Sequence, residues 1–115
     1  MKKMEKLEFK IKNDRYLAKR GGTAKIIRVI CASCKETVFI YQKDMPRGWL
    51  KRCYLNRILA PEKWESLQYK INNIDQLSNL TCTCGSILGT PMKHKDDRLA
   101  FKLIKGKFIR KTVIK

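Results

Sequence analysis

Val29-Ile30-Cys31-Ala32-Ser33-Cys34 ends a β-branched run on two thiols, and Leu80-Thr81-Cys82-Thr83-Cys84-Gly85 carries two more. The two-residue gap of the first pair lets one tight turn present both sulfurs to a single tetrahedral ion, with backbone amides left to donate to the thiolates. The second pair is a residue shorter, but alternate positions of a strand still put both side chains on one face. Gly85 relieves crowding where that turn bends back. Four soft thiolates in a tetrahedral set select zinc or iron, and zinc is favoured because nothing else in the chain suggests electron transfer. Four protein ligands also leave no position for a substrate water. Cys31, Cys34, Cys82 and Cys84 are therefore expected to form a structural Zn2+ site.

Other readings of these residues remain open. The pairs could be plain small apolar side chains, as Cys53 between Arg52 and Tyr54 is read. Cys31 and Cys34 could be a thioredoxin-like redox pair, although that motif opens a helix and β-rich sequence lies on both sides here. His94 could replace one cysteine as a ligand, or stand solvated between Lys93 and Lys95.

Working outward, Lys25 to Ile30 and Thr37-Val38-Phe39-Ile40-Tyr41 predict a hairpin whose turn carries Cys31 and Cys34. Leu7, Phe9 and Ile11 alternate with Glu8, Lys10 and Lys12 as a half-buried strand does, and Asn13-Asp14 punctuates it. Asp44-Met45-Pro46-Arg47-Gly48-Trp49 is a turn by its Pro and Gly. In Leu50 to Leu59, Leu50, Tyr54 and Ile58 form a helical stripe; a helix is the expectation, though alternation fits almost as well. Pro61 and Glu62 suit the first turn of a second short helix through Trp64 and Leu67, ended by Asn72-Asn73. The segments 99–104 and 108–114 flank Lys105-Gly106-Lys107 and predict a closing hairpin whose register the sequence leaves open. The expectation is one domain over 1–115, α+β and mostly β, with a helical insertion at about 47–76 and a flexible basic N-terminus at about 1–5.

These residues resemble a zinc ribbon, in which two cysteine knuckles on β-hairpins clamp zinc and a three-stranded sheet completes the unit. The likeness rests on residues 29–34 and 80–85 with strands after each, and covers about half the chain. Two departures stand out: Cys82-Thr83-Cys84 lacks one residue, and the 47 residues from Lys35 to Thr81 exceed the usual spacer, implying an inserted element. The block from Phe39 to Arg52 also resembles small two-knuckle proteins of no established function. Zinc ribbons occur in transcription factors, polymerase subunits and ribosomal proteins, so the resemblance implies a fold and a field of work.

Charge points the same way. Lys and Arg number 27 against 10 Asp and Glu in 115 residues, a net +17, and nucleic acid is the commonest partner for such a surface. Lys43, Arg47, Lys51, Arg52 and Arg57 interleave with Trp49 and Tyr54, and aromatic faces beside cations can stack unpaired bases while the charges hold phosphates. Lys102, Lys105, Lys107 and Lys111 surround the last turn and offer further phosphate contacts. In both clusters the plainer reading is a solvated face or a charged strand edge.

The expected function is non-catalytic nucleic-acid binding, with RNA or a ribonucleoprotein ahead of duplex DNA because charge spreads along the whole chain and no helix-turn-helix pattern occurs. The rival is a protein-interaction zinc ribbon serving as an accessory subunit of the transcription or translation machinery within a large assembly. No enzyme is expected, since no His-x-Glu pair, His-Glu-x-x-His or glycine-rich phosphate loop occurs, and no small-molecule substrate is implied. No apolar run reaches the roughly 18 residues of a membrane span. Without a signal-peptide pattern, and with five cysteines, an odd number, of which four lie in two close pairs, the expected location is the cytoplasm.

Overall fold

The computed structural model describes residues 11–12, 14–19, 22–44 and 48–114. The chain adopts the mostly-β, α+β class that its sequence implies. β1 (Ala24–Cys31) and β2 (Thr37–Asp44) form the expected hairpin around the first cysteine pair, with Ile27 opposite Tyr41 and Val29 opposite Phe39. Both are buried along most of their length, which is why they read as continuous apolar runs. β4 (Ile58–Ala60) pairs with β2 and β8 (Phe108–Ile114) with β1, completing an antiparallel sheet ordered β4-β2-β1-β8.

A second antiparallel sheet is built from β3 (Arg52–Tyr54), β5 (Leu80–Thr81), β6 (Ile87–Lys93) and β7 (Leu99–Leu103), in the order β3-β7-β6-β5. The core lies between the sheets, where Val29, Phe39 and Ile58 of the first share one cluster with Cys53, Leu88 and Phe101 of the second. Trp64 on α2 (Glu62–Glu65) joins them, its ring edge-on to Phe39 at 6.3 Å and to Phe101 at 5.9 Å. The Tyr54 amide donates to the Tyr41 hydroxyl at 2.8 Å, a second tie between the sheets.

The structure corrects three expectations. Leu50 to Leu59 is not a helix but β3, a 3₁₀ turn over Leu55–Arg57, and β4. Its helical stripe is buried, yet so are Cys53, Leu55 and Arg57 in between, because this stretch crosses from one sheet to the other. The helical insertion thus shrinks to α2, α3 (Leu67–Lys70) and a 3₁₀ turn at Ile74–Gln76. A hairpin does form in the C-terminal part, but its arms are β6 and β7, with Pro91 opposite Phe101. The arms expected at 99–104 and 108–114 lie in different sheets, and Gly106, at φ 88°, turns the corner between them.

Leu7 and Phe9 of the expected first strand, the N-terminus at 1–5 and Arg47 lie outside the described residues. Ile11 and Lys12 are not in a strand; Lys12 is tied to β2 by reciprocal bonds, its amide donating to Gln42 Oε1 at 2.6 Å and Gln42 Nε2 donating back to its carbonyl at 3.0 Å. Asp14 caps α1 (Arg15–Lys19), accepting from the Tyr16 and Leu17 amides. No helix among the described residues is long and apolar enough to cross a membrane.

Candidate metal centre and basic groove

Cys31 closes β1 and Cys34 lies on the turn into β2, while Cys82 and Cys84 sit on the turn between β5 and β6. The two knuckles share one construction. In each, the amide of the first cysteine bonds a carbonyl across the turn, Cys31 to Glu36 at 2.9 Å and Cys82 to Ser86 at 2.8 Å. In each, the residue after the second cysteine takes a positive φ, 68° at Lys35 and 98° at Gly85. Ser86 is one position nearer its cysteine than Glu36 is, so the missing residue of the second pair is absorbed inside the turn.

The four sulfurs converge. Cys31 Sγ is 3.7 Å from Cys84 Sγ, Cys34 Sγ is 3.5 Å from Cys82 Sγ, and all four lie within 4.8 Å of one another. Tetrahedral thiolates at about 2.3 Å from one ion stand roughly 3.8 Å apart, so the set is close to the size a metal ion requires. Hydrogen bonds from the Cys34 and Ser33 amides, with lesser help from Cys84 and Cys34, hold the Cys31 thiol down to about 6. The Glu36 amide also favours the Cys34 thiolate, but burial and the neighbouring Cys82, Cys84 and Cys31 sulfurs outweigh it and push Cys34 up to about 12. Four thiols this close share their protons, and a cation is what allows all of them to ionise together. Cys53 is buried in the core, as expected. His94 is outside the cluster; its Nδ1 lies 2.9 Å from Asp96, and its ring meets Tyr54 edge-on.

The expected contact residues are partly assembled and partly scattered. Trp49, Lys51, Lys102 and Lys105 line one groove of about 910 Å³, together with Arg110 of β8. Leu50, Leu103 and Phe108 give it an apolar wall, and no acidic residue lines it. Trp49 is 80% exposed, with Lys105 Nζ 5.8 Å from its ring centre. Arg110 is the residue that sequence reasoning left out of the site, because only the pairing of β8 with β1 brings it here. An adjoining hollow of about 420 Å³ shares Gly48 to Lys51 with the groove and adds Lys43, Arg52, Arg57 and Arg98 together with one carboxylate, Asp44. Lys107 and Lys111 are exposed, but neither lines the groove.

Three of the proposed contact residues are buried, Lys43 of β2 among them. Arg57 is fully buried, and its guanidinium is engaged by Asp14 at 2.6 and 3.0 Å and by Asp44 at 2.9 Å, so it is a structural cation rather than a phosphate ligand. Tyr54 is buried under Arg98, whose guanidinium sits between its ring at 3.7 Å and the Tyr16 ring at 3.8 Å. No protein family, curated protein or solved structure matches this chain, and the reading of its function rests on the four-sulfur cluster and the basic groove.

Proposed function

We propose that the chain is a zinc-ribbon-like protein whose four clustered cysteines hold one structural Zn2+, and that it binds nucleic acid without catalysis, RNA or a ribonucleoprotein ahead of duplex DNA. The observation that carries the metal half is the approach of four sulfurs from two separate hairpins. Zinc fits a closed all-thiolate set, and such a set leaves no coordination position for a reacting water. When bound, the ion serves as a cross-link between the two hairpins. The nucleic-acid half is supported by the net charge of +17 and by the gathering of Lys51, Lys102, Lys105 and Arg110 on one groove free of carboxylates. Reduced thiols of this kind suit the cytoplasm.

Retention of the metal-loaded chain on an immobilised polyanion tests the reading. Elution is expected to shift steeply with salt, since each neutralised phosphate releases counterions. Binding to cell components that is indifferent to ionic strength would favour the second reading, an accessory subunit of a larger machine. One observation speaks for that alternative. Among the described residues β8 pairs on one side only, and exposed Ile109 on it and Ile104 nearby give a partner apolar surface.

A further inference from the structure

We infer that the groove beside Trp49 takes an unpaired stretch of nucleic acid, with a base stacked on the indole and the flanking phosphates held by Lys51, Lys102, Lys105 and Arg110. The inference deepens the proposed nucleic-acid binding and rests on it. Three features of the groove point to a single strand rather than a duplex. First, its wall is apolar, formed by Leu50, Leu103 and Phe108, and a duplex backbone presents only phosphate and sugar to such a wall, whereas a splayed base presents a flat π-face. Second, Trp49 stands 80% exposed at the junction of the groove and the adjoining hollow. A large indole left in water on the border of a cationic groove is the arrangement of a stacking platform. Third, the cations come from four places in the sequence, on the segment before β3, on β7, on the Gly106 corner and on β8, and no carboxylate opposes them along the groove. That charge complements a polyanion and repels a basic partner.

The path has a physical continuation. Gly48 to Lys51 border both concavities, so a strand leaving the groove past Trp49 meets half-buried Arg52 in the hollow; Lys43 there is buried, Arg98 is held by Asp96 and the Tyr16 and Tyr54 rings, and the Asp44 carboxylate also lines it. Arg57 plays no part, because its guanidinium is committed to Asp14 and Asp44.

The test titrates an unstructured RNA of about 12 nucleotides, and a blunt RNA duplex of the same length, into the metal-loaded chain, reading anisotropy of the labelled RNA across a salt series. The single strand is expected to bind more tightly, with a log–log salt slope of roughly −3 for four neutralised phosphates. Trp49→Ala is expected to weaken the single strand at least about fivefold while leaving the salt slope and the urea midpoint unchanged, and Trp49→Phe to restore most of the affinity. Lys102→Ala with Lys105→Ala is expected to flatten the slope by about 1.4. Single-strand affinity unchanged in Trp49→Ala, or a duplex that binds as tightly as the single strand, overturns the stacking site while leaving polyanion binding intact. Failure of every RNA to bind at low salt overturns both this inference and the proposed function.

Discussion

Lys35 and Gly85 occupy the same place in the two knuckles, each just past the second cysteine with its backbone in the left-handed region, and only one of them is glycine. A side chain there meets its own carbonyl, so Gly85→Ala is expected to destabilise the metal-loaded chain by about 1–2 kcal/mol. Lys35→Gly relieves the same clash but adds freedom to the unfolded chain, leaving a net gain of a few tenths of a kcal/mol. Urea denaturation of both variants with metal present checks the opposite signs. Asp14 carries a pH signature. The hydrogen bond from Arg57 outweighs partial burial and, with the Leu17 and Tyr16 amides, holds its carboxyl at about 2 instead of 3.8. Between those values the unfolded chain binds a proton that the folded chain does not. The stabilisation is therefore complete above about pH 4 and lost as pH falls through 2. The gap in urea midpoint between the parent and Asp14→Asn should be constant from neutral pH down to about 4 and close toward pH 2; a gap that ignores pH contradicts the pairing.

At the scale of elements, the two tryptophans separate core from surface. Trp64 wedges between Phe39 of one sheet and Phe101 of the other, and Trp64→Ala is expected to cost about 3 kcal/mol. Trp49→Ala should stay within about 0.5 kcal/mol, as exposed positions do. Thermal unfolding of the two variants side by side checks the contrast. The same division explains how much the sequence disclosed. The knuckles and the β1–β2 hairpin were legible because they are local: spacing, β-branched runs and a following turn residue lie within about fifteen positions. The partners of β7 and β8 were not. Leu99 to Ile104 and Phe108 to Ile114 have strand composition and a glycine turn between them, yet each finds a better-buried neighbour elsewhere, β7 against β6 and β3, and β8 against β1. Arg57 was misjudged for a related reason. A charged residue in a basic segment reads as surface, and the acids that bury it lie 43 and 13 positions away.

On the scale of the whole molecule, the sulfur cluster joins the β1–β2 hairpin of one sheet to the β5–β6 hairpin of the other. A metal ion bound there would tie the two sheets together beside the core that packs around Trp64. Structural zinc sites contribute on the order of 10 kcal/mol at neutral pH, as much as an ordinary domain's net stability. Chelation is therefore expected to abolish cooperative unfolding, followed by circular dichroism. Cys84→Ser should lower metal affinity by orders of magnitude, while Cys53→Ala, a buried thiol away from the cluster, should keep one ion per chain and lose about 1 kcal/mol. X-ray absorption at the zinc edge, on the chain loaded with one equivalent, reads the ligand set of the four cysteines without an intermediary. Four sulfur scatterers at about 2.3 Å are expected. Nitrogen or oxygen in the first shell, or zinc that does not stay bound at one per chain, would contradict the four-thiolate site.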